Sequence, residues 1–439
     1  ASIITDAKYA FIHGALEETY IPAGNNAQGR KYRLDNILTH KWFGLPLFFF
    51  FMYLTFQLTF TVGQAPTDWI DAGVAWLSNA VSTLLPDGVL KDLIVDGAIA
   101  GVGSVIVFFP QIMILFLFLS FMEDTGYMAR VAFLMDRIMH KIGLHGKSVI
   151  PIIMGFGCNV PAVMATRTIE SRKSRLITML IIPLMSCAGR LPVYVLIAGA
   201  FFPRHAGLVM LGLYALGIIL AVIAAKVMSS FFKDDDLPFV MELPPYRVPT
   251  AKSIFRHTWE KGRQYLQKMS GIILVCSMVI WFLGYFPNHD AYSTVQEQQE
   301  HSFIGYVGKA MEPVLEPLGF DWRMGVGIVA GVGAKELVVS TLGVMYADEE
   351  PVGAGSDVDE VPSSGADTRL QKALVRSVTP AGALAYMVFI LLYFPCIATF
   401  VAIKNESGGW KWAIVTAVYT ILLAWVAAFI TFRLASLFL

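Results

Sequence analysis

The sequence predicts an all-α polytopic membrane protein made of two inverted repeats with re-entrant or broken helices. Of its 439 residues, 56% are hydrophobic and only 15% are charged, whereas soluble domains carry about 25% charged residues. Apolar runs long enough to cross a bilayer, about 20 residues each, recur along the chain. A cluster that contains Gly143, Gly155 and Gly157 also recurs further along the chain. Together these observations indicate a membrane protein with internal duplication.

Composition and motifs exclude several other classes. The 33 basic and 33 acidic residues balance, which argues against a nucleic-acid partner. All four cysteines lie in apolar segments, so a secreted disulfide framework is not expected. The run 145–148 ends like a phosphate-binding loop, but Lys141 stands where that motif requires glycine. No nucleotide domain is therefore predicted in this chain.

Eight apolar runs are candidates for membrane spans. They are 43–62, 101–122, 176–200, 206–228, 269–286, 323–345, 379–403 and 411–435. The stretch 149–163 is too short for a span and is expected to be a re-entrant hairpin; by symmetry 325–345 is a candidate for a second one. Two hairpins leave seven full spans with the C-terminus outside. The alternative, eight spans with the C-terminus inside, stays open because charge does not decide between them.

Charge in the loops predicts the orientation. Residues 1–41 are polar, resemble no signal peptide and end in basic residues, so the N-terminus is expected in the cytoplasm. The segment 63–96 holds five aspartates and a single lysine, which places it outside. The basic segments 130–147, 167–175 and 231–268 are expected inside.

The repeat becomes visible when the chain is shifted by 176 residues. Gly143, Gly155 and Gly157 then fall on Gly319, Gly331 and Gly333, and Cys158-Asn159 falls on Ala334-Lys335. Each copy has a span, an amphipathic segment, an interrupted Gly-rich stretch and another span. Three crossings separate the copies, so they should be inverted, with a substrate near the midplane where the breaks meet. Chance similarity between Gly-rich apolar segments is the alternative. The expected helix breaks are Gly155, Gly157, Pro161, Pro183, Gly331 and Gly333.

Thiols beside these breaks point to a metal pathway. Cys158 is flanked by Gly and Pro, Cys187 follows Pro183, and Cys396 occupies a comparable place in the second copy. Broken helices expose carbonyl oxygens and sulfur is a soft ligand, which suits a partly dehydrated transition-metal cation. Asn159 and Met154 lie next to this break and complete the candidate pathway on this side. Cys276 is expected to be only a small buried hydrophobe.

Charged residues give further candidates. Glu123 and Asp124 end an apolar span and could attract a divalent cation, or they could simply cap the amphipathic helix 127–142. Glu336 follows Lys335 inside an apolar run, and each is expected to find a partner across the repeats, for instance Arg190 or Asp124. The eight histidines lie away from span centres, so a histidine site is not favoured.

The chain resembles the membrane portion of the ferrous iron transporter B (FeoB) family over nearly its full length. The motifs that carry the resemblance are Glu123 to Arg130, Gly155 to Ala162, Pro183 to Tyr194 and Gly333 to Glu336. It implies two Gate-type (nucleoside-recognition) repeats, uptake of Fe2+ across the bacterial inner membrane and iron contacts at Cys158 and Cys187.

The resemblance also implies features beyond these motifs. GTP and Mg2+ would bind only to a G domain absent from this chain, so the chain itself would be a transporter and not an enzyme. A small cytoplasmic FeoA-like protein is an expected partner, a homo-oligomer is compatible with the family, and no permanently bound cofactor is expected.

This interpretation divides the chain into six parts. They are a linker stub (1–41), a first span with an outer amphipathic segment (42–100), the first Gate-like repeat with the following span (101–228), a basic linker (229–268), the second repeat (269–403) and a C-terminal span (404–439).

Two other functions stay open. In a carrier of nucleosides or other organic solutes, Asn159, Ser186 and Glu336 would bind the solute; a membrane scaffold would transport nothing.

Overall fold

A computed structural model describes residues 43–86, 88–231, 249–287, 298, 300–346 and 365–438. The expected linker stub 1–41, most of the segment between the repeats at 232–248 and the acidic segment 347–364 lie outside these ranges. The described part is helical throughout, without a strand. The expected all-α class is confirmed.

Seventeen α-helices are numbered here within the described ranges. They are α1 Gly44–Leu84, α2 Val89–Asp92, α3 Ala100–Asp124, α4 Tyr127–Ile142, α5 Val149–Gly157, α6 Asn159–Ala165, α7 Arg172–Ile181, α8 Leu191–Phe201, α9 Ala206–Phe231, α10 Ala251–Tyr285, α11 Phe303–Leu315, α12 Trp322–Gly333, α13 Leu337–Met345, α14 Gly365–Ser377, α15 Pro380–Leu392, α16 Ile397–Ser407 and α17 Trp410–Phe438. A π-helical turn, Leu93–Ile99, joins α2 to α3.

Five helical stretches in the described part are long and apolar enough to cross a membrane: Pro46–Leu84, Arg172–Phe201, Ala206–Phe231, Pro380–Ser407 and Trp410–Leu437. A sixth, Phe109–Asp124, bends by 79° into α4. The predicted span 323–345 is instead two short helices. The 12 residues of α12 rise about 18 Å, less than the roughly 30 Å of hydrocarbon. The described residues therefore do not form the eight unbroken spans of the alternative topology.

The repeat predicted from the sequence is present in the backbone. Helices α4 and α11 begin at Tyr127 and Phe303, which are separated by the same shift as the glycines. Gly143 and Gly319 both have a left-handed conformation, with φ of 83° and 76°, which glycine adopts without a steric cost. The first break, at Cys158, has φ −148° and ψ 130°, and Ala334 has φ −143° and ψ 140°. Similar backbone geometry at matched positions supports an internal duplication over chance similarity.

The two copies run in opposite directions. Each copy consists of a long helix at the place of a predicted span (α3 or α10), an amphipathic helix (α4 or α11), a broken pair (α5–α6 or α12–α13), a broken span (α7–α8 or α15–α16) and a final span (α9 or α17). At the end of α3, Glu123 pairs with Lys261 near the start of α10 at 2.9 Å. At the other face, Tyr285 at the end of α10 donates to Asp92 before α3 at 2.9 Å. The first spans of the two copies are therefore antiparallel.

Each broken pair has its outer ends close together. Lys147, just before α5, binds Glu170, just after α6, with an Nζ to Oε1 distance of 2.7 Å. Tyr346, just after α13, donates to Asp321, the N-cap of α12, at 2.8 Å. Each pair thus leaves the molecule on the face where it entered, and we call α5–α6 and α12–α13 the first and second hairpins. Their re-entrant course within a bilayer stays a prediction.

The two hairpins open on opposite faces. Arg167, after the first hairpin, forms a two-pronged ion pair with Glu406 at the end of α16. Helix α17 then runs to the other face, where Phe432 lies against Gly319, next to the base of the second hairpin. The end of α17 is thus opposite Arg167. The side of the membrane on which the C-terminus lies stays a prediction.

The two broken spans form the centre of the molecule. Every described residue of α15 from Ala385 to Leu392 is buried, as expected for a helix that is apolar on all sides. The outer helices α9 and α17 turn small residues inward, for example Ala225 and Ala424, which are fully buried. Small residues allow close approach of membrane helices, and the broken spans are therefore shielded from the surroundings.

Candidate functional site

Four helix breaks meet at one cavity of about 630 Å³, which we call the thiol cavity. The breaks are at Cys158 in the first hairpin, 182–190 in the first broken span, 334–336 in the second hairpin and 393–396 in the second broken span. The polar side chains in its lining are Thr59, Gln111, Cys158, Asn159, Cys187, Lys335, Glu336, Gln371, Cys396 and Thr399. The convergence of the breaks follows from the inverted repeats.

Three free thiols line this cavity, one from each of three breaks. Cys158 is the extended residue between α5 and α6, where the helix is interrupted. Cys187 is extended before the short turn that leads into α8. Cys396 is the N-cap residue of α16, and its Sγ lies 3.1 Å from Thr399 Oγ1. The side chain of Cys276 lies outside the described residues.

Asn159 presents an amide oxygen without a hydrogen-bond partner. The residue opens α6, is 4% exposed and lines the thiol cavity, and its Oδ1 is among the buried atoms that have no partner. Buried polar atoms are nearly always paired, and leaving one unpaired costs about 1–3 kcal/mol. This acceptor oxygen is therefore buried beside Cys158 without a hydrogen-bond partner in the described part of the chain.

Glu336 reaches across the repeats to the first broken span. A Cβ atom on Gly189 would lie 3.3 Å from Glu336 Oε1, so the absence of a side chain there leaves room for the carboxylate. Glu336 is the only acidic residue in the described lining of the thiol cavity. The second copy therefore contributes one carboxylate next to Cys187.

Two buried cations bind the carbonyl groups that the breaks expose. Arg190, which is fully buried, donates to Met185 O at 2.8 Å and to Pro183 O at 3.1 Å within its own broken span. Lys335, which is 3% exposed, donates to Phe394 O at 2.7 Å in the other broken span. These contacts stabilise both interruptions.

These contacts correct two expectations. Lys335 and Arg190 were expected to pair with acidic groups across the repeats, but both instead bind backbone carbonyls. The carbonyls of the broken spans were also expected to face the ion. Three of them, on Pro183, Met185 and Phe394, already accept bonds from side-chain cations, because interrupted backbone in an apolar setting must be satisfied. The thiol, amide and carboxylate side chains of the lining are not engaged in these contacts.

A second, larger cavity of about 880 Å³ lies on the other side of the first hairpin, and we call it the charged cavity. Its charged or titratable lining residues are Glu123, Lys147, Arg167, Glu170, His257, Glu260 and Lys261. The hydrogen bond from Lys147 lowers the pKa of Glu170. Helices α5 and α6 line both cavities and separate them.

The remaining predicted site residues divide between the two cavities. Glu123 lines the charged cavity, whereas Asp124 lines neither cavity and lies 3.5 Å from Ser253 Oγ. Neither carboxylate caps the amphipathic helix α4, whose N-cap is Gly126. Met154 was expected near the thiols, but it lines the charged cavity together with Pro161. Met154 lies on the face of α5 that lines the charged cavity.

Of the six residues predicted to break helices, three lie at the ends of helices or between them and three do not. Gly157 and Gly333 end α5 and α12, and Pro183 lies in the first broken span. Gly155 and Gly331 lie within helices and Pro161 lies in the first turn of α6, so these three are not breaks. Glycine at 155 and 331 serves packing instead: an added Cβ would lie 3.1 Å from Met185 Cβ at the first site and would collide with the Tyr393 hydroxyl at the second.

The cavity offers ligands without a preformed cage. Among the described residues, no three His, Cys, Asp or Glu side chains gather closely enough to hold a metal ion. Sequence analysis missed the neutral lining residues Gln111, Gln371 and Thr399; an amide inside the apolar run that contains Gln111 was the available signal.

Family comparisons identify the two repeats. The Gate family, described as nucleoside recognition, matches residues 105–201 and 266–410. The family described as ferrous iron transport protein B C terminus matches residues 210–261, between the two Gate segments. Together these matches cover both hairpins, both broken spans and the basic linker.

Several curated relatives are similar over most of the chain. A Fe(2+) transport protein A/Fe(2+) transporter FeoB fusion protein of Porphyromonas gingivalis is 53% identical over 100% of this chain and 55% of its own length. Fe(2+) transporter FeoB of Campylobacter jejuni is 43% identical over 93% of this chain and 66% of its own length.

A third relative, Fe(2+) transporter FeoB of Staphylococcus aureus (strain MSSA476), is 43% identical over 98% of this chain and 62% of its own length. The chain thus spans between 55% and 66% of these relatives. No solved structure matches it. The order of the Gate and FeoB C-terminal matches, together with these identities, shows that the chain belongs to the FeoB family, whose C-terminal part it matches.

Proposed function

We propose that this chain forms the membrane pathway for Fe2+ in a ferrous iron uptake system. The observation that carries the proposal is the meeting of four helix breaks and three thiols at one cavity. Fe2+ is intermediate in softness and accepts sulfur, carboxylate and amide oxygen, which are the ligand types that Cys158, Cys187, Cys396, Glu336 and Asn159 supply. Relatives over the whole chain are named Fe(2+) transporters.

The ion enters the thiol cavity partly dehydrated and leaves through the charged cavity. Cys158 and Asn159 lie at the tip of the first hairpin, which separates the two cavities. Glu123 and Glu260 in the charged cavity attract a departing cation as it regains water. With the basic segments in the cytoplasm, by the positive-inside rule, this direction is inward across the bacterial inner membrane and the N-terminal side of α1 is cytoplasmic.

Regulation and partners follow from the relatives. The chain spans only about half to two thirds of their length, and we assign GTP and Mg2+ binding to a G domain in the remaining part of the protein. One relative is named as a fusion of Fe(2+) transport protein A with FeoB, which supports a FeoA-like partner. In this proposal the chain itself is a transporter, Fe2+ is its substrate, and it holds no permanent cofactor.

A carrier of nucleosides or other organic solutes is the alternative, because the Gate family is described as nucleoside recognition. The relatives do not favour it, since they are named for Fe(2+). A scaffold without transport leaves the unpaired Asn159 oxygen unexplained.

Metal uptake by proteoliposomes that contain the intact transporter tests the proposal. Fe2+, Mn2+ and Zn2+ are offered separately under reducing conditions, and Fe2+ uptake is expected. Cys158→Ser and Cys187→Ser should each reduce Fe2+ flux by about tenfold, because a hydroxyl is a much poorer ligand for a borderline metal than sulfur.

Cys276→Ser is the matched control, since the sequence places that cysteine outside the breaks. It should keep the parent flux. If Cys158→Ser and Cys187→Ser both transport Fe2+ like the parent while folding normally, the thiols have no part in the mechanism. If the parent moves no metal, the pathway itself is wrong.

A further inference from the structure

The two hairpin tips present different chemistry at equivalent positions. Cys158 and Asn159 at the first tip match Ala334 and Lys335 at the second, and the backbone angles of Cys158 and Ala334 agree within about 10°. All four residues line the thiol cavity. By symmetry, a pathway with two equal half-sites would carry sulfur and an amide at both tips. Only the first half-site has them; the second has a methyl group and a cation.

The Lys335 ammonium group is fixed by two contacts in the second broken span. Nζ donates to Phe394 O at 2.7 Å and lies 3.3 Å from the centre of the Tyr393 ring. Carbonyl oxygens and aromatic faces are the groups that bind a cation in a dehydrated site. Gly331 makes the second contact possible, since any larger residue would collide with the Tyr393 hydroxyl. The chain thus builds a cation site beside Cys396 and fills it with its own side chain.

We infer that Lys335 is a resident cation that occupies the second half-site of the pathway, so that the protein holds a single metal ion and rejects cations without affinity for sulfur. This inference rests on the proposed function. The described lining of the thiol cavity contains one other charged group, Glu336, and the buried Arg190 lies behind it. Lys335 is therefore the only basic side chain in the described lining of this cavity.

A positive centre discriminates between cations by their ligand preference. Mg2+ and Na+ bind oxygen, and Mg2+ gives up its water reluctantly. The Phe394 carbonyl that could replace water is taken by Lys335, and repulsion between like charges is strong where the dielectric is low. Fe2+ meets the same repulsion but gains bonds to the thiols of Cys158 and Cys187. Lys335 is thus a specificity-determining residue and not only a structural one.

Ion selectivity in proteoliposomes that contain the intact transporter tests the inference. Fe2+ and Mg2+ fluxes are measured for the parent, Lys335→Gln and Lys335→Arg. Glutamine can still donate to Phe394 O but lacks the charge, so the Mg2+ to Fe2+ flux ratio should rise by about tenfold or more. Arginine keeps the charge and should keep the parent ratio.

Lys309→Gln is the matched control. Lys309 likewise lies over an aromatic ring, 5.5 Å from the centre of the Trp322 ring, and it pairs with Glu300, but it does not line the thiol cavity. Its variant should keep the parent ratio. The inference is overturned if Lys335→Gln keeps that ratio, or if Lys335→Arg admits Mg2+ as readily as Lys335→Gln.

A second measurement does not depend on the folding of the Lys335→Gln variant. Co2+ is titrated into the detergent-solubilised parent, and absorption from thiolate-to-cobalt charge transfer is followed. It should saturate at one Co2+ per chain; saturation at two would show that the second half-site is free and would overturn the inference. Absence of both Fe2+ flux and Co2+ binding in the parent would instead refute the proposed function, and this inference with it.

Discussion

At the scale of single residues, the thiol cavity is surrounded by buried polar groups, some of which form hydrogen bonds within the protein and some of which do not. Arg190 is fully buried, yet two of its nitrogens bind carbonyls of its own broken span. Asn159 Oδ1 lies equally deep and has no partner among the described residues. Unpaired buried acceptors cost stability, and such local costs are concentrated where a protein binds something. In the proposed pathway, a bound ion would supply the partner that the Asn159 amide lacks.

Replacement of Asn159 by leucine should separate stability from function. The two side chains have the same branching and number of heavy atoms. The change removes an unpaired buried acceptor but adds the bulk of two methyl groups, so the free energy of unfolding should stay within about 1 kcal/mol of the parent value. Fe2+ uptake should fall, because one oxygen ligand is lost. Thermal unfolding in detergent and proteoliposome uptake measure the two effects. Unchanged uptake together with a lower unfolding temperature would assign Asn159 a structural role only.

At the scale of elements, the hairpins are interrupted by backbone geometry and held by close packing. The second hairpin depends on Gly331, which admits the Tyr393 hydroxyl and Val338 where a Cβ would stand. Tyr393 in turn lies under Lys335. One small residue in α12 thus fixes the position of the break that carries Cys396. Gly155 in the first hairpin likewise allows close packing, in this case against Met185.

Gly331→Ala should destabilise the second hairpin. A methyl group would overlap the Tyr393 hydroxyl, and overpacking of this kind typically costs about 1–3 kcal/mol. The matched control is Gly343→Ala in α13, where the nearest atom to an added Cβ is Leu370 Cδ2 at 3.8 Å. That change should be neutral or slightly stabilising, because alanine favours helix. Equal unfolding temperatures for the two variants would contradict the packing assigned to Tyr393.

The sequence predicted those features of the hairpins that depend on neighbouring residues in the chain, and it did not predict those that depend on contacts between distant residues. The repeat was visible because Gly143 and Gly319 occupy left-handed positions that glycine favours. The residue at which each hairpin breaks was misjudged at Gly155, because glycine is needed there for packing against Met185 from another element. The binding of Phe394 O by Lys335 joins residues far apart in the chain, and no local pattern predicts such a contact.

At the scale of the whole molecule, the two repeats are joined on one face by buried charge. Glu406 at the end of α16 has a side chain only 5% exposed, and it pairs with Arg167 and Arg175 next to the first hairpin. Arg167 also lines the charged cavity. The ion pair between Glu406 and Arg167 thus connects the second broken span to the wall of the proposed exit. Movement of one repeat against the other must therefore alter this ion pair.

Glu406→Gln should loosen the contact between the repeats. Hydrogen bonds to charged groups contribute about 1.5–3 kcal/mol each, although both arginines are partly exposed and can regain water, so a loss of about 1–3 kcal/mol in unfolding free energy is expected. Glu170→Gln is the control, because that carboxylate is 73% exposed in its pair with Lys147 and surface pairs contribute little. If both variants unfold alike, the contact with Glu406 does not hold the repeats together.

X-ray absorption at the iron edge of the Fe2+-loaded transporter tests the central claim most directly, because it reports the ligand atoms themselves. The account predicts a mixed shell with sulfur scatterers at about 2.3 Å, the usual length of a metal–thiolate bond, together with oxygen. The sulfur contribution should decrease in Cys158→Ser and in Cys187→Ser. A shell of oxygen and nitrogen alone, unchanged in both variants, would show that iron does not bind in the thiol cavity.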